Sequence, residues 1–221
     1  MPAARSLLFA LLMAAGTAAA GEDPILAPPT EALPPAAQAI RDDLQRIVAA
    51  RELHGLRAHV REDTTLNFGG DSGSQGFDAV WASDAAATRE LWRVLDALLA
   101  LPGVAQEEDG KTLYCAPYVF CLSYPAGIDV FDAQVVLGRD IAVRAQPDPQ
   151  APVVTRVGHV VLTAIDDATD ASTPGWTHVR LASGQQGYVT DVMLRSPVDY
   201  RLSLDREGDG RWGIQYFVAG D

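Results

Sequence analysis

Residues 135–144 read VVLGRDIAVR, and residues 176–189 read WTHVRLASGQQGYV. Apolar β-branched residues occur here in runs of two or three, separated by turn-forming residues. The same pattern continues between the two stretches, with runs at Val153-Val154 and Val160-Val161-Leu162. Short runs that recur at this even spacing are typical of strands in a small β-barrel or sandwich. The sequence therefore predicts an all-β module over residues 135–196.

The chain ahead of this module has helical periodicity. Residues 113–124, where aromatic and β-branched residues surround two cysteines, could supply strands for helices to cover. We therefore expect an α+β unit over residues 36–134. Apolar residues recur one helical turn apart in two stretches, Ile40, Leu44, Ile47 and Val48, then Leu91, Leu95, Leu98 and Leu99.

Two further segments flank these units. Residues 21–35 are rich in Pro, Ala and Glu without apolar periodicity, which predicts a flexible linker. Residues 197–221 predict a β-hairpin, because apolar and polar residues alternate on both sides of the turn Gly208-Asp209-Gly210. The expected fold class is thus α+β, with a small all-β barrel and a C-terminal hairpin.

The β-module resembles bacterial SH3-like (SH3b) domains. The resemblance rests on residues 138–147 (GRDIAVRAQP), on Gly175-Trp176 and on Gly187-Tyr188-Val189. One departure is Ala142, where Asn is common. The resemblance implies an SH3-like barrel that binds peptidoglycan, a peptide or a partner domain in the bacterial cell envelope.

The same resemblance implies a surface site formed by Arg144, Trp176 and Tyr188. We expect the turn at Gly184 and Gly187 to bring Tyr188 beside Trp176. The competing interpretation is that both aromatic residues belong to the core and that Arg144 is a surface salt-bridge partner. The sequence leaves both interpretations open.

A second, looser resemblance concerns the flanking parts of the chain. Residues 36–81 and the final hairpin are similar to the first helix and the last two strands of nuclear-transport-factor-like, cone-shaped domains. This resemblance implies that the hairpin completes the N-terminal unit and that the β-module is inserted between them.

Residues 1–20 predict export. They carry one charged residue, Arg5, then the apolar run 7–13, and end in the small residues Ala18-Ala19-Ala20. This order is that of a secretory signal peptide, which we expect to be cleaved before Gly21. The apolar run is too short to span a bilayer. The expected location is therefore periplasmic or secreted, without an integral membrane anchor after cleavage.

The two cysteines of the chain, Cys115 and Cys121, predict a disulfide in an oxidising compartment. A redox-active pair is the alternative, but such pairs usually have the spacing C-x-x-C, and here five residues intervene.

The charge balance argues against nucleic acid as a partner. The chain has 29 acidic and 17 basic residues, and its net charge is −12 at pH 7. A surface this negative repels phosphate backbones, and no cluster of Lys or Arg compensates locally.

Motifs that carry catalysis are weak. The stretch GDSGS at residues 70–74 matches the nucleophile loop of trypsin-like proteases, but too little chain precedes it for the barrel that supplies their His and Asp. The four histidines have no zinc-ligand spacing, so we expect neither metal nor cofactor.

The sequence therefore favours a non-enzymatic binding protein whose β-module recognises peptidoglycan or an envelope protein. The alternative is a small-ligand carrier or an enzyme with its pocket in the N-terminal unit. A pocket lined by Trp81, Trp92 and Tyr118, with Asp71 as a convergent acid, would favour that alternative.

Overall fold

The fold is α+β, as the sequence predicts. The predicted signal segment 1–20 lies outside the described residues. A computed structural model describes residues 21–108, 110–165, 173–206, 208 and 210–220.

The helices follow the predicted apolar stripes. Pro35, at the start of α1, has no backbone N–H to leave unpaired there. Arg51 takes a left-handed backbone conformation and ends α1. Asp84 caps α4 by accepting hydrogen bonds from two backbone N–H groups. The α-helices are α1 (Pro35–Ala50), α2 (Leu53–Arg57), α3 (Gly73–Trp81), α4 (Ala85–Ala100) and α5 (Tyr118–Cys121).

The strands form two sheets. A 3-10 helix, Asp191–Met193, precedes β10. The strands are β1 (Val60–Thr65), β2 (Val104–Glu108), β3 (Lys111–Ala116), β4 (Ala133–Val136), β5 (Ile141–Arg144), β6 (Val153–Val157), β7 (Val161–Ala164), β8 (Trp176–Arg180), β9 (Gln186–Thr190), β10 (Leu194–Arg195), β11 (Arg201–Arg206) and β12 (Trp212–Val218).

The C-terminal hairpin lies inside the N-terminal sheet. This five-stranded sheet has the order β1-β12-β11-β3-β2. β11 pairs antiparallel with both β3 and β12, and β12 pairs parallel with β1. The hairpin therefore completes the sheet of the N-terminal unit.

The helices cover one face of this sheet. Leu202 and Leu204 of β11 join the buried cluster that includes the apolar stripes of α1 and α4. Trp81 of α3 stacks on Phe217 of β12 with ring centroids 4.9 Å apart. Burial of these large side chains accounts for most of the apolar core of the unit.

The other face of β11 is polar yet buried. Arg201, Ser203 and Asp205 alternate with the two leucines, and all three are buried. The guanidinium of Arg201 lies 5.6 Å from the ring centroid of Phe68 and 5.3 Å from that of Phe120. Both distances fall within the range of cation–π contacts. The loop after β1 and helix α5 are thereby held against the sheet.

The seven-stranded sheet is antiparallel throughout its described pairings, with the order β10-β4-β7-β8-β9-β5-β6. Its strands are consecutive in the chain, so the module is an insertion within the first sheet. Its first strand begins at Ala133, two residues before the predicted border at 135. The fully buried Val143, Val179 and Val189 form the centre of its core.

The predicted flexible linker is tied to the module over residues 23–26. Leu26 is buried and donates its N–H to the His159 carbonyl at 2.7 Å, and Val161 donates to the Pro24 carbonyl at 2.8 Å. The side chain of Asp23 accepts from the Ala182 N–H. These contacts correct the linker prediction for this stretch. Local composition could not reveal them, because every partner lies more than a hundred residues away.

The predicted disulfide between Cys115 and Cys121 is present. Cys115 lies in β3 and Cys121 at the end of α5, so the bond joins the short helix to the sheet. Tyr118 and Val119 of α5 pack in a third apolar cluster with Ala133 and Val135 of β4. This cluster lies between the two sheets, and the disulfide fixes the helix that supplies its centre.

Asp205 is the most buried carboxylate of the polar face. Its side chain is 4% exposed and forms ion pairs with Arg61 and with Lys111, whose Nζ lies 3.1 Å from Oδ2. Burial by itself raises the pKa of Asp205, but the hydrogen bonds from Arg61 and Lys111 outweigh it, so the pKa lies below its ordinary value.

We expect Asp205→Asn to lower the free energy of unfolding by about 3 kcal/mol, because it leaves the Arg61 guanidinium without its buried counter-charge. Urea denaturation at neutral pH measures the loss. Since folding lowers the pKa of Asp205, the stability it contributes is present above the unfolded pKa and is lost as the pH falls through the folded pKa. The difference between the two proteins should therefore shrink in acid.

Asp63→Asn is the matched control. Asp63 also contacts Arg61, at 3.1 Å, but its side chain is 77% exposed. The expected loss is below about 1 kcal/mol. Equal losses for the two variants would show that burial of the Asp205 pair has no special weight.

Candidate functional site

The structure places Arg144, Trp176 and Tyr188 on three neighbouring strands of the module. Arg144 ends β5, Trp176 begins β8, and Tyr188 is the middle residue of β9. The buried Val143 and Val189 adjoin Arg144 and Tyr188, and the buried Val179 is three residues from Trp176. Because side chains alternate along a strand, Arg144, Trp176 and Tyr188 lie on the opposite, outer face. All three are partly exposed.

Strand register places Arg144 and Tyr188 in line with a third residue, His178. Arg144 is directly opposite Tyr188 across β5 and β9, and Tyr188 is directly opposite His178 across β9 and β8. The His178 and Tyr188 rings stack with centroids 4.5 Å apart and planes 11° from parallel. Arg144, Tyr188 and His178 therefore form a continuous row across three strands, which we call the outer row.

Trp176 lies beside this row but not next to Tyr188. Its cross-strand partner is Thr190, and it shares the outer face of β8 with His178 two residues on. The prediction that the turn brings Tyr188 beside Trp176 is thus corrected: the residue directly opposite Tyr188 is His178, two positions along β8 from Trp176. Neither aromatic residue is among the members of the module's buried cluster.

Arg144 is held by the backbone. Its Nη1 donates to the Ala151 carbonyl at 2.7 Å, and no ion pair joins it to any carboxylate in the described parts of the chain. One end of the guanidinium is therefore fixed while the planar fork keeps further N–H donors. Such a fork matches a carboxylate or two neighbouring carbonyls.

Gly187 lets β5 and β9 approach closely enough to form the row. A Cβ at this position would lie 2.7 Å from the Arg144 carbonyl and 2.7 Å from Cγ1 of Val143. Real side chains do not tolerate such distances, so only glycine fits here. Gly184, with φ +82°, forms the turn between β8 and β9 and has open space around it.

Sequence reasoning missed His178 as part of the site. The signal was present, because the buried Val179 implies that His178 faces outward. Val153 of β6 was also missed; it is opposite Arg144, and its side chain is 42% exposed. Val153 thus extends the outer row onto the edge strand β6 as an exposed apolar residue.

The residues whose pocket would favour a small-ligand carrier or an enzyme are not arranged around one cavity. Trp81, Trp92 and Tyr118 are buried in apolar clusters, whereas Asp71 is exposed. A cleft of about 600 Å³ lies elsewhere, between α1, the start of β1 and the start of β12. Its polar lining includes Asp43, His59 and Glu62.

Two negative findings concern the parts of the chain that the structure describes. They hold no group of three or more His, Cys, Asp or Glu side chains with the geometry of a metal site. They also contain no helix whose length and apolar character would suit a bilayer crossing.

We expect Gly187→Ala to destabilise the protein by about 1 to 3 kcal/mol, because the added methyl group forces β5 away from β9. Chemical denaturation measures the loss, and the NMR signals of Arg144 and Tyr188 should shift together. Gly184→Asn is the control in the same hairpin, since Asn tolerates a positive φ and nothing crowds it. A Gly187→Ala protein as stable as this control would contradict the close approach of the strands.

No protein-family model, no curated protein and no solved structure matches this chain significantly. The resemblances to SH3-like and cone-shaped domains therefore stay predictions from the residues.

Proposed function

We propose that the protein is an exported, non-enzymatic binding protein of the bacterial cell envelope and that the outer row of its β-module recognises peptidoglycan. The SH3-like motif string and the signal-like segment 1–20 are the sequence features that support this. The disulfide between Cys115 and Cys121 is compatible with an oxidising compartment.

The observation that carries the proposal is the alignment of Arg144, Tyr188 and His178 on one face. Each ring of the stacked pair keeps one face that is turned away from the other ring, and such an apolar face can contact a sugar or a peptide. The neighbouring guanidinium offers directed N–H donors to the carboxylates and carbonyls of such a ligand. Peptidoglycan combines sugar rings with short peptides, so both halves of the row have a complementary group on it.

Rigidity is the second support. The row lies on paired strands, its arginine is anchored to the Ala151 carbonyl, and its rings stack on each other. A site held in this way loses little side-chain entropy when a ligand binds. Core aromatics or a surface ion pair, the competing interpretation of these residues, would not need such an arrangement on an outer face.

An envelope protein is the other ligand class that the resemblance implies. A small-ligand carrier remains the alternative function, and the cleft in the N-terminal unit is the observation that favours it. Its occupant would bind without Arg144 or Tyr188, so variants of the outer row separate the two functions.

A pull-down on purified insoluble peptidoglycan at two salt concentrations tests the proposal. We expect the protein to be retained, and we expect combined Arg144→Ala and Tyr188→Ala changes to weaken retention about tenfold or more, as loss of central contacts usually does. His178→Ala alone should weaken it to a lesser degree.

Arg139→Ala is the matched control, because Arg139 is an exposed arginine of the same module at the other end of β5. It should bind as the unmodified protein does. Loss of binding in this control as well would indicate non-specific charge attraction. No retention of the unmodified protein at either salt concentration would overturn peptidoglycan as the ligand and direct the search to an envelope protein.

A further inference from the structure

The cleft in the N-terminal unit is separate from the outer row and is lined by three elements. Residues 39, 40 and 43 of α1 form one wall, residues 58–62 a second, and residues 210–213 of the hairpin a third. Its volume of about 600 Å³ suits a ligand of metabolite size. We propose that this cleft binds a small organic cation, an ammonium group carried on an apolar or aromatic body.

Apolar residues form part of the walls, beside the charged ones. The cleft combines aliphatic residues with one tryptophan, which favours a ligand with a hydrocarbon or aromatic body. An indole ring also attracts a cation through its negative face. The apolar lining residues are Ala39, Ile40, Ala58, Val60 and Trp212.

The carboxylates at the cleft select for positive charge. Glu62 is exposed, and its side chain forms no hydrogen bond or ion pair with any described residue. Asp43 lies deeper and shares its oxygens with Arg46, at 2.8 Å, and with His59, at 3.4 Å. Glu62 therefore offers an uncompensated negative charge to a ligand.

The positive residues at the cleft are already engaged. Arg61 passes over Gly213, where a Cβ would lie 2.4 Å from its Cδ, and reaches Asp205 on the polar face of the sheet. Its charge is thus compensated there by two carboxylates, Asp63 and Asp205. Arg211 also has an interaction partner. Neither arginine is left over to recruit an anion.

His59 holds the walls together. Its Nδ1 lies 3.1 Å from the Trp212 carbonyl, which can only accept, so this nitrogen donates the hydrogen bond. Its Nε2 faces Asp43 of α1. The imidazole therefore links the hairpin to the helix, and the cleft exists as a preformed shape. The net charge of −12 adds a field that favours cations over anions.

Three probes of similar size test the inference by NMR titration of the ¹⁵N-labelled protein. Phenethylammonium carries the positive charge, 2-phenylethanol is its neutral counterpart, and 3-phenylpropionate carries a negative charge. We expect phenethylammonium to shift the amide signals of Ala39, His59 and Gly213, the alcohol to bind more weakly, and the anion to leave them unchanged.

Two variants locate the binding. Glu62→Gln keeps the shape but removes the charge and should weaken phenethylammonium binding about threefold to fivefold, the range for a solvent-exposed charge pair. Ala39→Leu keeps a good helix former on α1 and fills the cleft, so it should abolish binding. Glu108→Gln, on β2 at the opposite edge of the same sheet, should bind as the unmodified protein does.

Several outcomes would overturn the inference. These are binding of the anion or the alcohol as tight as that of the cation, signal changes confined to other parts of the chain, and no change with any probe at millimolar concentration. Arg144→Ala should leave the titration unchanged, so the inference and the function of the outer row can fail separately. A native unfolding midpoint for Ala39→Leu is required as evidence that it has filled the cleft and not disrupted the helix.

Discussion

The central position of β11 is the constraint on which the rest of the structure depends. All but one of its six residues are buried, with leucines against the helices and Arg201, Ser203 and Asp205 on the other face. Without β11 and β12, β1 would have no partner strand, and β3 would lose one of its two. The N-terminal helices thus have no complete sheet to cover until the last segment of the chain has been placed. This dependence links residues about 150 positions apart, and contacts of such sequence separation form slowly and cooperatively.

Local sequence patterns predicted most of the helices and strands, but few of the segments with which they pair. The apolar spacing of residues 40–48 and 91–99 was enough for α1 and α4, and the short β-branched runs anticipated the strands of the module. Between α1 and β1 the chain forms the short helix α2 and a turn, which apolar spacing alone did not predict. Residues 23–26 gave no signal because the backbone carbonyls and amides they pair with leave no trace in composition. The place of the hairpin was open for a related reason, since alternation predicts strands but not their neighbours.

The candidate sites, too, were predictable from the sequence only in part. The resemblance to SH3-like domains implied a surface position for Arg144, Trp176 and Tyr188, and burial in the core was the alternative. In the structure all three side chains are partly exposed. Which aromatic residue neighbours Tyr188 depends on the register between β8 and β9, which no local pattern reveals. The cleft was beyond sequence reasoning altogether. It arises where α1, β1 and the hairpin meet, and its lining comes from three distant stretches of chain.

The pairing of β4 with β10 has a consequence for the history of the molecule. Arg195 lies opposite Val135, so the chain enters and leaves the seven-stranded sheet at neighbouring points. A segment whose ends meet can be gained, lost or exchanged for another without moving the strands on either side of it. The seven-stranded module can in this respect change during evolution while the five-stranded sheet keeps its architecture.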